Sequence, residues 1–131
     1  MKKIINLPPN ALDIFIRRYS LRKESGETVE TAQEIFARVA RIVAEAENNY
    51  RNGHNPDQIR QAFFEQLCDL RFIPNGRTIA NAGTGSGQLA NCFVLPIEDD
   101  LGKMPNSIFA TLRNAVLILQ SGGGVGFSFG N

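Results

Sequence analysis

Apolar positions in the first half of the chain recur every three or four residues, the period of a helix with one buried face. Leu12, Phe15, Ile16 and Tyr19 share such a face, which predicts a short helix over 11–19 after Pro8 and Pro9. Residues 20–30 are polar and contain Gly26, so they read as a connection. Thr31 and Glu34 fit a capping box, in which the hydroxyl meets an orphan amide and the carboxylate reaches back. The helix they open carries Ile35, Phe36, Val39, Ile42, Val43 and Ala46 on one face. It is expected to stop near Arg51, Asn52 and Gly53, where glycine permits a left-handed exit. Asn55 as cap and Pro56 at the first helical position open a third helix. Its expected buried face is Ile59, Ala62, Phe63 and Leu67.

Near residue 71 the pattern changes, because Pro74 cannot sit inside a helix. The small, polar run 80–87 reads as a loop, and the apolar run 89–95 as a buried strand ended by Pro96. Glu98, Asp99 and Asp100 form an acidic connection. Asn106 is placed to cap a helix over 107–120 with Ile108, Leu112, Ala115, Val116 and Leu119 on its apolar face. Ser121 to Gly124 break it, and 125–129 alternates like a strand. The expected organisation is a helical region over 1–70 and an α/β region over 71–131. A strand–helix–strand unit of this spacing makes two parallel strands. Parallel sheets normally have more strands and both faces covered, so the sheet reads as interrupted, its remainder supplied by further chain or by a partner. Its bare edges and apolar face predict an aggregation hazard, and the helical half is expected to fold better.

Composition narrows the classes. A chain of 131 residues with formal net charge +1 and scattered Lys and Arg fits one soluble domain and offers no basic stripe for nucleic acid. No apolar run approaches the roughly 18 residues of a membrane span. The apolar part of the N-terminus is too short for a secretory leader and is broken by prolines, so a cytoplasmic setting is expected. Two cysteines, Cys68 and Cys92, do not build a disulfide scaffold. With a single His54 and no CxxC spacing, no metal site is expected.

The candidate chemistry is sparse when taken piece by piece. The glycine clusters at 83–87 and 122–126 match neither a Walker loop nor a Rossmann turn. Each is a loop by default, or else a nest of backbone amides open to a phosphate. Cys92, beside Asn91, reads alone as an inert core cysteine, and Cys68 as a packed thiol on the third helix. His54, Asp99 and Asp100 read as solvated.

The segments in order say more. Phe72-Ile73-Pro74-Asn75, Asn81-Ala82-Gly83-Thr84, residues 88–96 around Asn91 and Cys92, Ser107-Ile108-Phe109, and residues 120–128 with Gly122, Gly123 and Gly124 together resemble the ribonucleotide reductase large-subunit family. The likeness spans about 10–131 and is closest to the adenosylcobalamin-dependent class. It implies a helical N-terminal region followed by the first two strands, 89–95 and 124–129, and the connecting helix of an incomplete ten-stranded α/β barrel. It implies removal of the 2′-hydroxyl of a ribonucleotide. A cysteine thiyl radical takes the 3′ hydrogen, and a cysteine pair supplies two electrons and becomes a disulfide. Cys92 matches the first of that pair, and thioredoxin-type exchange would restore it. The substrate contacts implied are Gly76, Asn91, Gly123 and Gly124. Gly76 falls where the family often has Ser or Thr, so a hydroxyl contact is missing there. The stretch 99–106 resembles the start of the dimer contact and nucleotide-specificity region, which makes a homodimer one expected partner. The radical cysteine, the partner of Cys92 and the adenosylcobalamin site fall outside these residues. The chain alone is therefore expected to be inactive, as a split gene, a remnant or an excised piece. Two other readings stand beside it. One is a non-catalytic nucleotide- or protein-binding module derived from the fold. The other is the same enzyme driven by a metal-radical partner subunit.

Overall fold

The computed structural model describes residues 3–50 and 53–129. Four helices, α1 (Pro9–Tyr19), α2 (Ala32–Ala44), α3 (Pro56–Cys68) and α4 (Gly76–Asn81), precede strand β1 (Cys92–Pro96), helix α5 (Ile108–Gln120) and strand β2 (Gly124–Ser128). The chain divides into two compact units, one ending at Leu89 and the other starting at Ala90.

In the first unit the sequence signals at the helix starts operate as expected. Thr31 accepts from the Glu34 amide while the Glu34 carboxylate accepts from the Thr31 amide, closing the capping box. Asn55 caps α3 and Pro56 occupies its first turn. The core joins Ile35, Phe36 and Val39 of α2 to Phe64, Leu67 and Cys68 of α3 and Ile79 of α4. Fully burying a side chain such as Phe36 or Ile35 contributes about 1.5–3 kcal/mol.

Three expectations change. Helix α2 ends at Ala44 and tightens into a 3-10 turn over Glu45–Asn49, with Val43 and Ala46 exposed. Of the exit expected at Arg51, Asn52 and Gly53, the first two lie outside the described residues. The buried face of α3 is rotated, so Phe64 and Cys68 are inside while Ala62 and Phe63 are exposed. The segment after Pro74, expected to be non-helical, holds α4. Helix α3 has already ended at Leu70, which turns the chain in the left-handed conformation at φ 56°. There the Arg71 amide bonds the Gln66 carbonyl and the Leu70 amide the Leu67 carbonyl, a Schellman exit that satisfies carbonyls α3 would leave open.

In the second unit β1 and β2 pair in parallel, from Cys92 opposite Gly124 to Pro96 opposite Ser128. Helix α5 is the crossover. Its cap is Ser107, whose hydroxyl accepts from the Ala110 amide, and not Asn106, whose side chain donates to Glu98. Only Thr111 and Ala115 of α5 are buried, and the Thr111 hydroxyl donates to the Pro96 carbonyl. Ile108, Leu112, Val116 and Leu119, expected inside, are exposed. The helix is apolar on nearly every side, so its periodicity does not choose a face. Strand β1 starts three residues later than expected, includes Pro96, and is half open rather than buried. Phe93 and Leu95 are partly covered while Cys92, Val94 and Pro96 are exposed, the alternation of a strand with one covered face.

Candidate active site

Cys92 begins β1 and points its thiol to the uncovered face of the sheet. Its register partner is Gly124. A Cβ at Gly124 would lie 3.2 Å from the Cys92 sulfur, closer than side chains normally pack, so glycine there leaves the thiol unobstructed. On the same face, a Cβ at Gly126 would meet only atoms at 4.0 Å. The sulfur therefore stands in a patch of small residues on which another molecule can come close to the backbone.

The amides of the second glycine cluster do not form a phosphate nest. Gly122 donates to Leu119, Gly123 to Ile118 and Gly124 to Asn91, so all three amides are engaged within the protein. The glycine at 123 has a packing cause. A Cβ there would come within 2.7 Å of the Ile118 side chain and 3.1 Å of the Phe93 ring. Asn91 differs from these. Its carbonyl holds the Gly124 amide at 2.7 Å, while its side-chain oxygen Oδ1 is buried and has no hydrogen-bond donor among the described residues. Leaving a buried acceptor unmet costs about 1–3 kcal/mol.

Cys92 and Gly124 thus pair at the start of one small sheet, with Asn91 and Gly123 immediately before their strands. Gly76 belongs to the helical unit, at the start of α4, where a Cβ would sit 3.0 Å from the Tyr19 hydroxyl. Helix α4 is tied to the chain that follows it. Thr78 donates to the Leu89 carbonyl at 3.0 Å and Asn81 to the Gln88 carbonyl at 2.7 Å.

A buried ion pair that sequence patterning does not single out holds α4 in place. Arg38 binds the Glu30 carboxylate through Nε at 2.8 Å, and its other nitrogens donate to the carbonyls of Tyr19, Ile79 and Ala82. The two side chains are only 7% and 11% exposed. Cys68 is buried in the core, and burial pushes its thiol pKa up, the opposite of an activated thiol. His54 and Asp99 are exposed, whereas Asp100 caps its own loop by accepting from the amides of Lys103 and Met104. Among the described residues no three His, Cys, Asp or Glu side chains gather to hold a metal ion, and no helix is long and apolar enough to cross a membrane.

A helical domain leading into a parallel strand–helix–strand unit with an accessible thiol on its first strand is the class these elements define. Residues 5–87 match the family of the ribonucleotide reductase all-alpha domain. The chain is 43% identical over 119 residues to the vitamin B12-dependent ribonucleoside-diphosphate reductase of Mycobacterium tuberculosis, covering 91% of this chain and 16% of that protein. It is 32% identical over an alignment of 183 positions to the protein of the same name from Thermoplasma acidophilum, covering 98% of this chain and 23% of that one. A ribonucleoside-diphosphate reductase subunit alpha from Treponema pallidum is 31% identical over 92% of this chain and 13% of its own length. The chain belongs to the ribonucleotide reductase family, and is similar to the N-terminal part of its large subunits. It spans less than a quarter of the length of each of these relatives.

Proposed function

We propose that this chain supplies the first part of the catalytic subunit of a ribonucleoside-diphosphate reductase, and that Cys92 is one of the two thiols that deliver its reducing electrons. The observation that carries the reading is the exposed thiol at the start of β1, kept clear by Gly124. In the proposed reaction a thiyl radical from a later part of the subunit takes the 3′ hydrogen of the ribose and afterwards returns it. The 2′-hydroxyl leaves as water. Cys92 and its partner thiol give up two electrons and two protons and become a disulfide, which a thioredoxin-type reductant reopens by exchange.

Gly76, Asn91, Gly123 and Gly124 are the proposed substrate contacts. Because the amides of Gly123 and Gly124 are engaged, those two contribute clearance beside the sulfur and correct packing beneath it rather than hydrogen bonds to substrate. The unmet Oδ1 of Asn91 supports a donor arriving from substrate or from later chain. The unpaired edges of the two-stranded sheet support completion of a ten-stranded barrel by further strands. The exposed stripe of Phe109, Leu112, Val116 and Leu119 on α5 supports a homodimer. Adenosylcobalamin is the proposed source of the radical, after the names of the relatives. The described residues include no cluster suited to a metal, and no contact to that cofactor is assigned to this chain. The proposed setting is the cytoplasm, and the chain by itself is inactive.

The test is Cys92→Ser in the complete subunit. The reading expects multiple turnover with a thioredoxin-type reductant to vanish while the protein stays folded. Unchanged turnover would refute it.

A further inference from the structure

The segment before α1 has no regular structure, yet its exposure alternates. Lys3, Ile5 and Leu7 are half-buried while Ile4, Asn6 and Pro8 are exposed, the pattern of an extended segment laid along a surface. The Lys3 ammonium pairs with Asp69, just past α3, at 2.6 Å. Ile5 packs against the buried cluster that includes Leu67 and Cys68. Leu7 shares a groove with Phe15, Leu70 and Ile73. The Lys3 carbonyl accepts from the Gln33 side chain, so the segment reaches from the start of α2 to the end of α3. Burial raises the Cys68 thiol pKa and Lys3 opposes the rise, so the ammonium stands near that sulfur. The exit it crosses is strained, with Leu70 left-handed at φ 56°. Such a residue persists only where its surroundings hold it, and such residues gather at clamps and switches.

We propose that residues 3–7 are a releasable strap over the exit of α3, and that its local unfolding, ahead of the rest of the helical unit, is what opens the buried Cys68 thiol. The holds on the strap are few. The Lys3–Asp69 pair is about a third exposed, and a pair of that kind shifts an equilibrium by no more than about fivefold. Among the described residues, the bond from Gln33 is the only hydrogen bond that ties the backbone of 3–7 to the rest of the protein. Few buried contacts and little backbone pairing mark a segment that opens at a lower free energy than the core. Closed, the strap keeps Cys68 from thiol reagents. The device lies within the helical unit and does not depend on the role proposed for Cys92.

The experiment is iodoacetamide labelling of the full chain across a series of urea concentrations below the unfolding transition, each cysteine followed by peptide mass spectrometry. When closing outpaces labelling, the rate reports the population of the open form. The expected Cys68 rate rises only shallowly with urea, because opening the strap exposes little surface, whereas global unfolding read by far-UV circular dichroism has the full slope. Lys3→Ala should speed Cys68 labelling by up to about fivefold and Ile5→Ala by about tenfold, with the Cys92 rate unchanged in both. Arg17→Ala, which removes an exposed pair on α1, is the control and should leave Cys68 at the parent rate. A Cys68 rate in the parent that climbs with the full slope of global unfolding overturns the proposal, and so does a folded Ile5→Ala variant that labels at the parent rate. The urea slope is measured on the parent chain, so the proposal stands or falls even if Ile5→Ala does not fold.

Discussion

Glu30→Ala should be the most damaging single truncation outside the apolar core. The Glu30 carboxylate accepts from the Leu21 amide at 2.8 Å and from two Arg38 nitrogens at 2.8 and 3.1 Å. Removing it strands a guanidinium whose side chain is 7% exposed. The three carbonyls that Arg38 also binds soften the loss and do not neutralise the charge. Breaking one partner of a buried pair costs about 3–5 kcal/mol, because the other charge stays buried and uncompensated. The exposed Arg17–Asp13 pair is the control, since such pairs contribute about 0–1 kcal/mol. With a urea m-value of about 1 kcal/mol/M, Glu30→Ala should lower the unfolding midpoint by about 3–5 M, and Asp13→Ala by less than about 1 M. The assay is urea unfolding followed by far-UV circular dichroism. Equal, small shifts for the two variants would mean that Arg38 finds water or another acceptor, and the clasp on α4 would carry no weight.

The two neighbouring glycines should separate structure from chemistry. Gly123→Ala forces a methyl against Ile118 and Phe93 and should destabilise the second unit by about 1–3 kcal/mol. Gly124→Ala crowds the Cys92 sulfur and should lower turnover of the complete subunit more than it lowers stability; the reverse order in thermal melts and turnover would contradict the geometry. Acid should weaken the helical unit. The Thr31 amide and hydroxyl hold the Glu34 carboxyl below its ordinary 4.5, and Lys3 holds Asp69 below 3.8. A carboxyl depressed in the folded state stabilises above its unfolded value and loses that contribution as pH falls through the folded one. Stability should therefore drop below about pH 4.5, and a Glu34→Gln, Asp69→Asn variant should show a flatter acid limb; an identical slope would discount both groups. Iodoacetamide should label exposed Cys92 in the native chain and reach buried Cys68 only on unfolding, as read by peptide mass spectrometry. Equal rates would contradict the burial of Cys68.

What the sequence discloses here depends on how local each cause is. The capping box at Thr31 and the Asn55-Pro56 start are written in adjacent residues, so both are legible. The rotated face of α3 is not, because Phe63 and Phe64 are equally apolar and only the packing partner distinguishes them. The same holds for α5, where exposed Leu112 and Val116 fit the helical period as well as buried Ala115. Helix α4 has six residues and no side-chain cap, which leaves too short a pattern to detect. The Arg38 clasp joins residues up to 44 apart, beyond the reach of any window. Cys92 and Gly124 could be named from the order of blocks along the chain. That the amides of Gly123 and Gly124 are engaged within the protein, and that the Tyr19 hydroxyl abuts Gly76, are facts of the folded chain.

The most direct measurement is the thiol pairing left by one turnover. The complete subunit is reduced, given a ribonucleoside diphosphate without external reductant, quenched in acid, alkylated and mapped by mass spectrometry. The account predicts Cys92 in a new disulfide with a cysteine from beyond residue 131, and Cys68 recovered as a free thiol. Cys92 recovered free after product has formed, or joined to Cys68, would contradict it.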